Sequence, residues 1–385
     1  MNSIKMKNKI LITGGAGFIG SHLVEKLHLQ YDIVVLDNLN PQIHGVDGNS
    51  YTFKSIQNKC EFIKGDVQNS EDWEKALKTG ANIIIHLAAE TGTGQSMYES
   101  SRYVNANCMS TALMTDILNS KKYHIKKVIL ASSRAVYGEG KYVNNEAQIL
   151  FPDLREEIDL ENGLFECLNK NDKSLLKPLP TDELSRINPL SVYGLTKYFQ
   201  ENILQNVCFT LGIKYIALRF QNVYGPGQSL SNPYTGIISI FSNRIKQGKE
   251  LFIFEDGLES RDFVYILDVI QSIDLALTNE TIQTGIYNVG SGIQTAVIDV
   301  ARQLSNLIDP TIEIHITGQY RKGDIRHNYA DLSKIEQALG YSSKYTFEEG
   351  LNLFIEWAKN QELEQDNYEK SLLELSEKGL LTIKK

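Results

Sequence analysis

Tyr193 and Lys197 are one helical turn apart, and a phenol beside an ammonium is a couple suited to taking a proton from a hydroxyl. Hydride transfer from the same carbon would complete an oxidation. The spacing alone is weak evidence. It recurs at Tyr123/Lys127 and Tyr137/Lys141, and 19 tyrosines make chance matches expected. Tyr137/Lys141 runs through Gly138 and Gly140, too glycine-rich for a stable helix. Tyr123/Lys127 ends in an apolar run that reads as the fifth strand. Only Tyr193-Gly-Leu-Thr-Lys197 opens a helix, where residues four apart share a face.

A second constellation lies near the N-terminus. Gly15-Ala-Gly17-Phe-Ile-Gly20 satisfies G-x-G-x-x-G, and Gly14 adds a second frame. The motif follows a strand and opens a helix, the context in which glycines permit a tight turn and let the backbone approach a pyrophosphate. Asp37 ends the second strand, where its carboxylate can accept the adenosine 2′-hydroxyl and would repel a 2′-phosphate. Asn38 and Leu39 offer no cation, so NAD is favoured over NADP. Gly65-Asp66-Val67 follows the third strand, where a carboxylate can meet the adenine.

The elements that must position these residues alternate. Lys9–Thr13, Ile33–Leu36, Ile83–Leu87, Val128–Ala131 and Tyr215–Arg219 read as strands buried on both faces; 18–29, 71–78 and 99–120 read as helices. Alternation means βαβ units, and the expected fold is α/β: a doubly wound parallel-sheet Rossmann fold with a smaller mixed α/β substrate-binding lobe. Residues 1–220 would form the NAD-binding domain, 221–358 the lobe interleaved with returning sheet elements, and 359–385 a helical extension. Residues 140–180, polar and acidic, read as an insertion, either a solvated excursion or a lid over the site. Pro189 starts a helix reaching about Leu211.

At 385 residues and 42% hydrophobic content the chain can build its core without staples. A net charge of −8 argues against nucleic-acid or membrane-surface binding. The four cysteines are scattered without C-x-x-C spacing, which fits reduced thiols in the cytoplasm and gives no metal site. The N-terminal lysines precede an apolar run too short for a signal peptide, and no run reaches the ~18 residues that span a bilayer.

With Ser132–Gly138, His86-Leu-Ala-Ala89, Arg219-Phe-Gln-Asn222-Val-Tyr-Gly-Pro226, Gly257–Phe263 and Arg321–Arg326 added, the chain resembles the extended short-chain dehydrogenase/reductases of the nucleotide-sugar epimerase/dehydratase branch. The resemblance implies that Tyr193 is the general acid/base, that Lys197 binds the nicotinamide ribose and stabilises the phenolate, and that Ser133 is the hydrogen-bonding hydroxyl, with Ser132 as the other choice. Bringing a tyrosine from about 10 to about 7 takes roughly 4 kcal/mol of differential stabilisation. Cofactor contacts are implied at Gly14, Gly17, Phe18, Ile19, Gly20, Asp37, Asn38, Asp66, Val67, Leu87, Ala88, Ala89 and Asn107. Substrate contacts are implied at Thr91, Ser133 and Asn222, with Arg261 and Arg321 on a diphosphate and Asp324 on a ribose.

Two departures from the family pattern matter. Gln221 stands where an aromatic is usual. Arg134 and Ala135 replace the Asp-Glu pair that 4,6-dehydratases use for eliminating water, so elimination is disfavoured. Ala89–Tyr98 and Val223–Gly236 narrow the resemblance to dTDP-L-rhamnose 4-epimerases, which implies C4 inversion through a 4-keto sugar and a homodimer. A 4-ketoreductase or a UDP-sugar epimerase or decarboxylase are rivals within the fold. A non-catalytic NAD-sensing scaffold would tend to lose the tyrosine or lysine, and both are present.

Overall fold

The computed structural model describes residues 8–234, 236–362 and 366–382. Its centre is a seven-stranded sheet of β1 (Lys9–Thr13), β2 (Asp32–Asp37), β3 (Glu61–Lys64), β4 (Ile83–His86), β5 (Lys127–Ser133), β6 (Lys214–Phe220) and β7 (Gly285–Val289). The spatial order is β7-β6-β5-β4-β1-β2-β3, and every pairing is parallel. Order reverses between β1 and β4, which makes the carboxyl ends of those strands the expected ligand crevice.

Alternation along Ile- and Val-rich strands divides the side chains between two cores. Ile10, Ile12, Val35, Ile85, Ile129 and Ile216 enter one core with Leu23 and Val24 of α1 (Phe18–Leu27). Leu11, Val34, Ile84, Val128 and Tyr215 enter the other. There they meet Trp73 of α2 (Ser70–Leu77), Met114 of α3 (Ser110–Asn119) and Leu204 of α4 (Val192–Leu211). Continuous apolar runs are what a sheet covered on both faces requires.

The helix expected over 99–120 is interrupted. Ser100–Tyr103 leads into a π-helical stretch, Val104–Met109, before α3 resumes the ordinary repeat. Widened turns of this kind gather at functional sites. The long helix begins at Val192, three residues after Pro189, because Ser191 caps it by accepting from the Gly194 amide at 3.1 Å.

Beyond β6 the lobe is built from small sheets: Asn222–Tyr224 with Phe263–Tyr265, Leu251–Ile253 with Ile314–Ile316, and Ser260–Arg261 between Thr295–Ala296 and His327–Asn328. α5 (Ile266–Thr278) returns the chain to β7. After α6 (Phe347–Lys359), α7 (Tyr368–Glu377) leads to Leu381–Thr382, which pairs antiparallel with Tyr320–Arg321. The C-terminal segment is thus partly a strand of the lobe. No described helix is long and apolar enough to cross a membrane.

The 140–180 insertion packs against the lobe and not over the main cleft. It carries its own three-stranded sheet and a small core of Tyr142, Cys167 and Leu176. Arg155 donates to both carboxylate oxygens of Glu255 at 2.8 and 2.9 Å, and Arg326 donates to Glu166. These buried charges fasten the insertion to the lobe. No described residue between Ala135 and Val192 lines the main cleft.

Candidate active site

The turn between β1 and α1 is shaped by what its glycines exclude. Gly14 has φ +71°, and a Cβ there would sit 2.7 Å from the Ala88 nitrogen. A Cβ on Gly20 would meet the Gly14 carbonyl oxygen at 2.4 Å. α1 has no side-chain cap at Gly17, so the amides of its first turn are left for an anion. Asp37 accepts from the Ala16 amide at 3.0 Å and the Leu39 amide at 2.9 Å. A carboxylate has about four acceptor sites, so lone pairs remain for a ribose. Asn38 donates to Asp66 at 2.9 Å, and both line the cleft with Val67. These residues fit a dinucleotide.

The same cleft of about 1040 Å³ contains Phe18, Ile19, Leu87, Ala88, Ala89, Thr91, Ser133, Tyr193, Lys197 and Asn222. β5 delivers Ser133 at its carboxyl end, and the first turns of α4 deliver Tyr193 and Lys197. Burial pushes the Tyr193 phenol up, while the Ser133 hydroxyl and the Arg134 charge pull it back. Burial brings the Lys197 ammonium down to about 8, opposed by Glu201. Its Nζ donates to the Ala131 carbonyl at 3.0 Å and lies 6.0 Å from the Tyr193 ring centre. The pair can move a proton between a buried phenol and a hydroxyl of a bound ligand.

Four of the residues expected to contact ligands are not in the wall of this cleft. Asn107 is fully buried and absent from the cleft wall. Its amide accepts from the Glu90 amide at 2.8 Å and donates to the Glu90 carbonyl and the Thr196 hydroxyl. It therefore holds the 87–91 loop against α4. Arg261, Arg321 and Asp324 come together but do not line the main cleft. Asp324 accepts from Arg261 at 3.0 Å and lies 3.4 Å from Arg321. Burial would raise the Asp324 carboxyl, but Arg321, Arg261, Arg155 and Arg134 outweigh it and bring it down to about 2. Arg321 borders a second cavity of about 100 Å³, between Phe252, Phe254 and Tyr234 on one side and Tyr368 and Leu375 of α7 on the other.

The family model described as the NAD dependent epimerase/dehydratase family matches residues 10–155 and 173–290. The chain belongs to that family. It is an NAD-dependent enzyme of the nucleotide-sugar epimerase class. A dTDP-L-rhamnose 4-epimerase of Burkholderia thailandensis is 38% identical over 93% of this chain and 97% of its own. A putative UDP-glucose 4-epimerase of Methanocaldococcus jannaschii is 33% identical over 91% of this chain and 98% of its own. The solved UDP-glucose 4-epimerase of Thermotoga maritima with UDP-glucose superposes with a TM-score of 0.73 at 30% identity, covering 91% of this chain and 98% of that one. The break in the family match at 156–172 falls inside the insertion.

For an enzyme of this family the support behind the site is as telling as its wall. Glu201 accepts from Arg219 at 2.8 and 2.7 Å and from the Ser132 hydroxyl at 2.5 Å. Arg219 donates onward to the Tyr137 hydroxyl, which donates to Asn288. Both Ser132 and Ser133 line the cleft, but the Ser132 hydroxyl donates to Glu201, whereas the Ser133 hydroxyl is the one that bonds with Tyr193. The role of Glu201 was open to discovery in the sequence, since 193, 197 and 201 repeat every four residues. Its partner Arg219 comes from a strand and carried no such signal. Gln221 lines the cleft and donates to Asn328 at 3.3 Å, while its Oε1 has no partner among the described residues.

Proposed function

We propose that this enzyme is a nucleotide-sugar 4-epimerase whose substrate is dTDP-L-rhamnose, interconverted with dTDP-6-deoxy-L-talose. The observation that carries the reading is the convergence of Tyr193, Lys197 and Ser133 on the cleft of the glycine turn, with Arg134 and Ala135 where elimination would need two carboxylates. The Burkholderia thailandensis relative supports the choice of sugar.

Residues of the Gly14–Gly20 turn, Asp37, Asp66 and Lys197 would hold NAD. Bound there, NAD supplies the hydride acceptor and then the donor. Tyr193 accepts the proton of the sugar 4-hydroxyl as C4 loses hydride, leaving a 4-keto sugar. Ser133 orients that oxygen, and the Lys197 charge stabilises the phenolate. After the sugar turns about its diphosphate linkage, Tyr193 returns the proton to the oxygen as C4 regains hydride on its other face. No net redox change occurs, so no added reductant is needed.

The test is NMR of purified protein incubated with dTDP-L-rhamnose and a panel of other nucleotide sugars, without added cofactor. The C4-inverted 6-deoxy-L-talose product is expected. No inverted product would defeat the reading, while CO₂ release or stoichiometric NAD(P)H consumption would identify a decarboxylase or a ketoreductase. Leu195, Tyr198 and Phe199 on α4 and Val104 beside α3 are more than a third exposed, which supports a homodimer through these helices. Light scattering at monomer mass would count against it.

A further inference from the structure

A diphosphate needs a cation, and among the described residues the main cleft offers three lysine or arginine side chains: Lys54, Arg134 and Lys197. Lys54 stands in the helix Tyr51–Ile56, which packs against α1 behind the glycine turn. Lys197 gives one of its three hydrogens to the Ala131 carbonyl, and its charge already has a task beside Tyr193 and the nicotinamide ribose in the proposed reaction. That leaves Arg134.

Arg134 follows Ser133 at the end of β5. Its Nε donates to Asn222 Oδ1 at 3.0 Å, which fixes the direction of the guanidinium and leaves the Asn222 Nδ2 group to donate beside it. Both terminal nitrogens of Arg134 are without a hydrogen bond, and no carboxylate lies within ion-pair distance, among the described residues. Nearby charge makes the deficit worse: burial and Arg261 push the guanidinium down to about 9, against Asp324, Tyr193 and Glu139. A half-buried cation left unpaired beside another cation is costly unless a ligand anion joins them.

Arg261 is already committed. Its Nη1 donates to the Ser260 and Arg326 carbonyls, and its Nη2 donates to Asp324 and the Ile325 carbonyl. All four terminal hydrogens are accounted for. Arg321 is turned to the second cavity.

We propose that Arg134 is the receptor for the substrate's β-phosphate, the one bonded to the sugar. The site rests on the nucleotide-sugar reading. In the proposed reaction Ser133 and Tyr193 hold the sugar at its 4-oxygen, and Arg134, in the turn directly after β5, is aimed along the same cleft beside Asn222. Two parallel N–H groups of a guanidinium match two phosphate oxygens, which anchors the linkage about which the sugar turns. The residue that removes the dehydratase's acid thus supplies the epimerase's anchor.

The experiment is calorimetric titration of NAD-loaded wild type, Arg134→Gln and Arg134→Lys with dTDP, dTMP, UDP and UMP. Arg134→Gln is expected to lose about 10- to 100-fold in affinity for the diphosphate of the preferred base. Affinity for the matching monophosphate, bound NAD and melting temperature should stay at wild-type values, and Arg134→Lys should recover part of the loss. Equal losses for diphosphate and monophosphate, or diphosphate binding unchanged while only sugar turnover falls, would overturn the assignment. The two readings fail separately. Wild type that binds dTDP but inverts no sugar defeats the epimerase reading alone, whereas Arg134→Gln that binds dTDP as tightly as wild type defeats this one alone.

Discussion

A phenol and an ammonium buried side by side set opposite demands on pH. Tyr193 is raised by burial and Lys197 is lowered to about 8, so the lysine loses its charge before the tyrosine would lose its proton unaided. In the proposed reaction the Lys197 cation would stabilise the Tyr193 phenolate. Tyr193→Phe keeps the ring and removes the proton carrier, and kcat is expected to fall about 10²–10⁴-fold with bound NAD retained. Wild-type turnover after that substitution would remove Tyr193 from the chemistry. Activity should also decline as pH rises above about 8, where Lys197 neutralises. In Lys197→Arg the guanidinium stays charged, so whatever activity survives should keep its alkaline limb at higher pH. A limb that does not move assigns it to another group.

At the scale of elements, the site depends on β5, β6 and α4 arriving in one register. Glu201 joins all three, through Ser132, Arg219 and the turn of α4 that carries it. The ion pair is nearly fully buried, so breaking one side leaves an uncompensated charge. Glu201→Gln is expected to cost about 3–5 kcal/mol in urea denaturation and to lower kcat together with stability. An unchanged denaturation midpoint would mean that the helix and strands are aligned by packing alone. The loop before α3 is held in the same manner: Asn107 sits in the π-helical turn, and its side chain fixes the Glu90 backbone.

For the whole molecule, the joint between insertion and lobe is a buried charge cluster. Arg326 is wholly buried and meets Glu166, Glu255 and Asp256, with Glu259 3.9 Å away. Burial raises the Glu259 carboxyl to about 7, and among the described residues its Oε2 has no hydrogen-bond partner. The folded protein therefore keeps a proton on Glu259 up to about 7, while the unfolded chain loses it near 4.5. Folding takes up a proton in that window, so this group's contribution to stability is complete below about 4.5 and is lost as pH rises through about 7. Glu259→Gln should remove that loss and raise stability above pH 7 by about 1–3 kcal/mol relative to wild type. Urea midpoints that change with pH in parallel for both proteins would refute it.

Local rules settle much of this protein. Short Ile- and Val-rich runs bounded by turn signals read as strands covered on both faces, the glycines of 14–20 read as a turn because a strand precedes them and a helix follows, and Tyr193 and Lys197 share a face because a helix repeats every 3.6 residues. These fix the sheet, the cradle and the acid/base couple. Contacts between residues far apart in the chain had no such rule. The separation of Ser132 from Ser133 was decided by Glu201, 69 positions away. Asn107 left the cleft because the Glu90 backbone engaged its amide, and the insertion became a brace because Arg155 and Glu166 found Glu255 and Arg326. Which cation faces the ligand was also a tertiary matter: Arg261 is consumed by its own neighbours, and Arg134 is not. Local periodicity writes secondary structure into sequence, whereas the partner of a buried polar group depends on which distant segments the packed core brings within about 3 Å.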